Sequence, residues 1–317
     1  MKIKANKMTK EEIIKAYKAF NPDFTCNGFQ YKVGEEYSHD GETKVCSSGF
    51  HACQNPLDVL SYYPLVDYNC KIARFAEVLQ SGVIDNSEKD KTCSSKIKVE
   101  VELNLAGFIE AAIEEFTNPD KIKTDNSDYD PQIFNSRDYA QIVSNINGSQ
   151  IVNNGEYAKI YNNSDYNKIA NRGLDVDITN SGSFVQIANI GSKVNIANTG
   201  FRANIANSGY GVTIVNSSYG VNIVNDGNYA RICSSGNYTK INSSGGDSII
   251  CCVGSRCAVK AKIGSWVTLA EWEYDEYELQ RVTKCVKTEY VDGERIKGDT
   301  WYKLIDGEFV EQKDIDT

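Results

Sequence analysis

The chain has 317 residues, 41% of them hydrophobic and 24% charged, with a net charge of −9; this length suits two or three domains with cores of their own. No stretch approaches the ~20 apolar residues of a membrane-spanning helix, and Met1-Lys2-Ile3-Lys4 leads into no apolar run of a signal peptide. A protein of the cytoplasm, with no membrane partner, is expected, and its ten cysteines are expected to be free thiols in a reducing compartment.

Thr9-Lys10-Glu11-Glu12 has capping-box spacing ahead of Ile13, Ile14 and Tyr17, which predicts a short helix; Ala16-Tyr17-Lys18-Ala19-Phe20 is the competing first strand. Phe29 to Val33 alternates like a strand and stops at Gly34. Asn55-Pro56 reads as N-cap and first helical residue, opening a helix over Leu57 to Tyr63. Arg74 to Leu79 and Ile97 to Leu103 read as strands, the second with Ile97, Val99, Val101 and Leu103 on one face. Leu105 to Phe116 has helical spacing, with Leu105, Phe108, Ala112 and Ile113 inward. Together these predict an α+β domain over 1–120, followed by an Asn-, Asp- and Pro-rich linker over 121–132.

Reactive residue types are densest at Cys46-Ser47-Ser48-Gly49-Phe50-His51-Ala52-Cys53. One reading is structural: a tight turn into a buried strand. A zinc site would draw on Cys46, His51, Cys53 and Cys26, but the paired Cys-x-x-Cys of zinc fingers is missing, and neither a metal nor a cofactor is expected. A catalytic reading takes Ser48, His51 and Glu77: a Ser-Gly-Phe-His turn followed by Arg74-Phe75-Ala76-Glu77-Val78 resembles the arrangement of ADP-ribosyltransferase-like folds, where a carboxylate faces developing positive charge. A Cys–His protease pair is disfavoured, because its two side chains would have to meet in space, and residues two apart on a strand, such as His51 and Cys53, point the same way.

From Ile142 to Ile250 an isoleucine recurs at every ninth residue, a period that predicts a β-solenoid over 133–265. Two residues before it stands a small or β-branched residue, such as Ala158, Val176 or Val194. Two after it stands Asn, from Asn153 through Asn225, and two further usually Gly. Spacings of two share a strand face, so the small residue, Ile and Asn point inward. The Asn amides are expected to bond from coil to coil as stacked Asn do, and each Gly to turn the chain with φ > 0. Two nonapeptides would close a two-sided coil of about eighteen residues, and three a three-sided coil of about twenty-seven, stacked at ~4.8 Å. The turns lack the Asp of calcium-binding nonapeptides.

Charge is unevenly spread: 16 basic and 22 acidic residues in 1–130, 11 and 7 in 131–265, and 7 and 14 in 266–317. A mildly basic solenoid does not imitate duplex DNA, and it is too weakly basic for a nucleic-acid platform. The position after each Ile points outward yet is often apolar: Val143, Val152, Ala170, Ala188, Ala197, Ala206, Val215 and Val224. These residues are candidates for a docking face toward the N-terminal domain, a second subunit in a homo-oligomer, or a partner. Residues 266–317 are expected to form a β-hairpin cap, with Asp292-Gly293 and Asp306-Gly307 as hairpin turns and Trp301, Tyr302 and Phe309 as a small aromatic core. The fold expected overall is mainly β: a β-solenoid, or β-helix, of nonapeptide repeats between an α+β domain and that cap.

Lys15-Ala16-Tyr17-Lys18-Ala19-Phe20, Thr25-Cys26-Asn27-Gly28-Phe29-Gln30-Tyr31 and Ser48-Gly49-Phe50-His51-Ala52-Cys53, with Gly264-Ser265-Trp266 through Trp272 and Lys287 to Glu294, resemble an uncharacterised bacteriophage and prophage family. In it an N-terminal domain precedes nonapeptide-like repeats. The resemblance covers nearly the whole chain and brings no catalytic residues; it implies a phage protein in the cytoplasm of a bacterial host. The first expectation of function is an interaction module that binds, and inhibits, a host protein such as a defence factor. The alternatives are an ADP-ribosyltransferase-like enzyme targeted by its solenoid, and a virion structural or fibre component.

Overall fold

The computed structural model describes residues 12–118, 131–275, 280–313 and 315. By packing, the chain divides into two units: the residues up to Tyr63 with Arg74–Asn104, and Pro64–Ala73 with everything from Leu105 on.

The first unit is an antiparallel sheet with short elements folded over it. Its strands are β1 (Ile14–Phe20), β2 (Thr25–Cys26), β3 (Phe29–Gln30), β4 (Glu36–Ser38), β5 (Phe50–Ala52), β6 (Arg74–Asp85) and β7 (Thr92–Leu103). The sheet runs β1-β6-β7-β4, with β5 also on β7, and β2 pairs with β3. The predicted first helix is overturned where it is described: Ile14 onward is strand, and Thr9 to Glu11 lie outside the described residues. The competing strand wins because β1 pairs with β6 from Ile14↔Gln80 to Phe20↔Arg74, and five consecutive buried residues suit a strand covered on both faces, not an amphipathic helix. The strand expected over Phe29 to Val33 shrinks to a two-residue arm. It is joined to β2 by Asn27-Gly28, both at positive φ, a type I′ hairpin. The helix after Asn55 is a 3-10 turn over Pro56–Ser61, with the Asn55 side chain accepting from the Leu57 N–H at 3.0 Å. On β7, Ile97 and Val99 are buried but Val101 is 46% exposed. A bulge sets Glu77 opposite Val101 and Val78 opposite Val99, and one extra residue turns all later side chains to the other face.

The second unit is the solenoid. Each strand has four residues and pairs in parallel with the strand eighteen residues on, as Ile151↔Ile169↔Ile187 and Ile160↔Ile178↔Ile196. The coil is therefore two-sided, with alternate nonapeptides in a ten-stranded and a nine-stranded sheet. The isoleucines and the small residues before them fill the space between the sheets, each Ile contributing roughly 1.5–3 kcal/mol of burial. The Asn residues form two ladders. One runs Asn135, Asn153, Asn171, Asn189, Asn207, Asn225, each donating to the next side-chain oxygen at 2.7 Å. The other runs from Asn162 to Asn216 at 2.6–2.8 Å.

The glycines two residues past each Asn do not have positive φ, contrary to expectation. The left-handed position lies two residues later and holds Tyr157, Tyr166, Asp175, Phe184, Lys193, Arg202, Tyr229 and Tyr238. Glycine is required instead by close approach: a Cβ on Gly200 would stand 1.8 Å from the Gly182 carbonyl oxygen of the preceding coil. At the coil edge Tyr166, Phe184 and Tyr238 from left-handed positions join Phe201 and Tyr219, each one residue before such a position, in a row of rings at 4.7–5.7 Å, with Phe184 and Phe201 edge to face.

Helix α1 (Leu105–Thr117) forms as expected but packs on the first strands of the ten-stranded sheet, with Arg172 paired to Glu110 at 3.1 Å. Pro64–Ala73 bonds to the same sheet further along: Gln186 accepts from the Leu65 N–H at 3.0 Å, Lys240 donates to the Tyr68 carbonyl at 2.9 Å, and Asn242 to that of Cys70 at 2.9 Å. Most of the expected linker over 121–132 lies outside the described residues.

At the far end Trp266–Asp275 extends the nine-stranded sheet in parallel and pairs antiparallel with Gln280–Tyr290; Thr300–Ile305 adds antiparallel to Ala258–Ala261 and pairs with Glu308–Gln312. Asp306-Gly307 closes that last hairpin with both residues at positive φ. Asp292-Gly293 does not close a hairpin: it joins strands of different sheets, and Asp292 accepts from the N–H groups of Glu294, Arg295 and Ile296. Val291, Ile296, Tyr302 and Leu304 continue the solenoid core. No helix among the described residues is long and apolar enough to cross a membrane.

Candidate functional site

The first unit encloses a cavity of about 530 Å³. β1 brings Tyr17 and Lys18 to it, the β2–β3 arm brings Cys26 and Phe29, the segment through β5 brings Cys46 and His51, the 3-10 turn brings Tyr62 and Tyr63, and Lys91 stands ahead of β7. The sequence therefore places Cys26, Cys46, His51 and Cys53 around one space. They do not converge as metal ligands: no group of three or more His, Cys, Asp or Glu among the described residues is placed to hold an ion. Ser48 and Glu77 do not line the cavity. The Ser48 hydroxyl donates to the Glu42 carbonyl, and Glu77 pairs with Lys15 at 2.8 Å. Glu77 alternates with Ala76 and Val78, whose side chains are in the core.

His51 is held as a neutral strut. Its Nε2 accepts from the Cys46 N–H at 3.0 Å, so the lone pair a general base would use is engaged, and its carbonyl accepts from Lys18 Nζ at 2.9 Å. Burial lowers its pKa below the ordinary 6.5, and the charges of Lys18 and Lys91 push the same way. The sign of the consequence follows by linkage. Above 6.5 the ring is neutral folded and unfolded alike; as pH falls through 6.5 the unfolded chain takes up a proton that the folded one resists, so stability is lost. We expect the urea midpoint of the first unit to fall from about pH 7 to 5.5, and to fall less in His51→Asn; equal slopes for the two proteins would contradict this.

Around the cavity burial raises the phenol pKa values of Tyr31, Tyr62 and Tyr63, with Asp90 adding at Tyr62 and Cys26 at Tyr63. All three stay protonated, and the Tyr62 hydroxyl donates to Asp90. Lys91 lies 4.6 Å from the Tyr62 ring centroid, and its pKa is raised, first by its hydrogen bond with Cys46. Lys18 is 7% exposed and lies 5.7 and 5.5 Å from the ring centroids of Phe20 and Tyr31. Sequence reasoning missed Lys18 and Lys91; the one available signal was a lone lysine inside the otherwise apolar run Ala16 to Phe20.

The eight outward solenoid candidates divide between opposite faces. Val152, Ala170, Ala188, Ala206 and Val224 lie on the ten-stranded sheet and are buried, and Val143, Ala197 and Val215 lie on the nine-stranded sheet and are exposed, Val143 at 54% and Val215 at 48%. Tyr161, Ile249 and Trp266 share that open face. Of the cysteines, Cys70 is buried against the solenoid with its thiol pKa pushed up to about 12 by desolvation, which makes it inert.

These features define the class: an antiparallel-sheet unit holding an aromatic, lysine-lined cavity, joined to a two-sided parallel β-solenoid. Residues 14–111 match a domain family of unknown function, DUF7666; the match spans the first unit and runs into α1, and leaves the solenoid unmatched. No curated protein and no solved structure matches the chain.

Proposed function

We propose that the chain is a phage-type interaction module of nonapeptide repeats that binds a host protein, such as a defence factor in the bacterial cytoplasm, through the open face of its solenoid. The observation that carries this reading is the asymmetry of the two sheets. The ten-stranded sheet is covered by the chain's own elements, while the nine-stranded sheet keeps Val143, Val215, Ile249 and Trp266 exposed on a flat, rigid surface. Exposed apolar residues on such a face suit docking to another protein, and the ladders beneath them hold the surface without an ordering cost on binding. The C-terminal hairpins serve as a cap in this reading, and the phage setting rests on the sequence resemblance. The ADP-ribosyltransferase reading needs a carboxylate in the cavity, and Glu77 is outside it.

The test pairs the intact protein with the triple variant Val143→Glu, Ala197→Glu, Val215→Glu in affinity capture from host lysate, followed by titration of the purified partner. A single stoichiometric partner whose affinity falls at least about tenfold in the variant is the expected result. A partner held equally by both proteins would overturn the reading. So would a wild-type dimer that the variant turns into a monomer, because the face would then belong to a second copy; a stable trimer would favour the fibre.

A further inference from the structure

We infer that the cavity of the first unit is a binding site for a nucleotide, a planar base carrying phosphate. The inference is independent of the solenoid's partner. Its first ground is charge. Lys18 is almost wholly buried, and the acceptor its ammonium bonds is the neutral carbonyl of His51; no ion pair to it forms among the described residues. Lys91 adds a second cation, and no described residue lining the cavity is an Asp or Glu. Of the carboxylates nearby, Asp85 accepts from the Val45 N–H at 2.9 Å and Asp90 from the hydroxyl of cavity-lining Tyr62; Asp90 offsets part of the charge of Lys91, and neither is paired to Lys18. A buried ammonium without a counter-charge is costly, and a bound anion offsets that cost with charge-assisted hydrogen bonds.

The second ground is aromatic surface. Phe29 stands on the β2–β3 arm, lines the cavity and is 45% exposed, with Tyr31, Tyr37 and Phe50 in T-shaped contact at 4.8, 5.2 and 6.4 Å; the exposed part of its ring is available to a ligand. Tyr62 lines the same cavity with Lys91 over its ring, so aromatic surface and a cation are available in one space. The third ground is size. About 530 Å³ falls within the 300–1,000 Å³ typical of small-ligand sites; it suits a nucleotide, and it is larger than a lone phosphate needs. The Tyr31 hydroxyl stays protonated, and neutral His51 braces Lys18 through its carbonyl.

The experiment is calorimetric titration of the full chain with AMP, GMP, UMP and NAD, with adenosine and inorganic phosphate as the two halves of the ligand. At least one nucleotide is expected to bind about tenfold or more tighter than either half. Lys18→Met and Lys91→Met are each expected to weaken it by about tenfold while leaving adenosine unchanged, and Phe29→Ala to weaken nucleotide and adenosine together. Lys91 stands at the surface, so its variant answers the question even where Lys18→Met unfolds. The inference is overturned if none of the four nucleotides binds below about 1 mM, if the best binds no tighter than phosphate or adenosine, or if Lys91→Met binds like the wild type.

Discussion

Gly209→Ala is expected to cost the solenoid about 3 kcal/mol or more, while Gly211→Asn, two residues along, is expected to cost less than about 1 kcal/mol. At Gly209 the backbone φ is not in the left-handed region, so alanine's own conformational preferences are satisfied. The obstacle is the coil beneath: a Cβ there would lie 1.9 Å from the Gly191 carbonyl oxygen and 3.0 Å from Asn189 Nδ2. Neither atom can retreat, because they are bonded to each other at 2.8 Å and Asn189 is held in its ladder. The two coils must separate, and with them the parallel pairing on both sides. At Gly211, φ is +66° and a Cβ would meet nothing within 4 Å. Lys193 and Tyr229 occupy the equivalent positions of the adjacent coils at φ of 55° and 58°, so the fold already accepts side chains there. Because each coil touches only its neighbours, a broken interface divides the stack into two shorter ones. Urea unfolding of Gly209→Ala should therefore show a lower midpoint and a shallower transition, and that of Gly211→Asn neither. Equal midpoints for the two variants would refute the assignment of the glycines to close packing.

The same pair of positions shows what the sequence makes legible. The nine-residue period and the spacing of two within it placed Ile, its small neighbour and Asn inside, because successive side chains of a strand point to opposite faces. The number of faces was not legible, since two-sided and three-sided coils keep the same residues inward. Nor was the reason for the glycines: Gly beside a turn reads as positive φ, yet that backbone is borne by Tyr157, Lys193 and Arg202, which no propensity would put there. Closure of one coil on the next overrides the local preference of those residues. Which outward residues are covered was likewise hidden, because Val152 and Val143 have the same local sequence setting and differ in what α1 and Pro64–Ala73 pack against. In the site, the cluster from Cys46 to Cys53 stood out by residue type and, Ser48 apart, does line the cavity. Glu77 was chosen by motif spacing alone, and strand alternation turns it away. Lys18 was not singled out: a lone lysine in an apolar run does not by itself say that both faces of β1 are covered.

Asn189→Asp, a change of one amide to one carboxyl, should destabilise the chain strongly at neutral pH and progressively less as pH falls. Asn189 is wholly buried and uses its amide fully. Its Nδ2 donates to the Gly191 carbonyl at 2.8 Å and to Asn207 Oδ1 at 2.7 Å, and its Oδ1 accepts from Asn171 at 2.7 Å and from the Gly191 N–H at 3.2 Å. An ionised Asp donates nothing, so two buried acceptors would face a charge, at a cost of about 3–5 kcal/mol. Protonation restores one donor. Burial raises the folded pKa of this carboxyl above its unfolded value of ~3.9; the stabilisation from protonation is complete below the unfolded pKa and is lost as pH rises through the folded one. The stability gap between wild type and variant should therefore be larger at about pH 8 than at about pH 4.5, opposite in direction to the acid loss expected from His51. Asn189→Ser is the control. The ladders already run into Ser234 and Ser243, which accept from Asn216 and Asn225 at 3.0 and 2.9 Å, so serine keeps an acceptor and should cost about 1–2 kcal/mol at either pH. A gap for Asn189→Asp that does not change with pH would mean that the coils part around the side chain and admit water, and that the ladder is not the closed, dry network its distances describe.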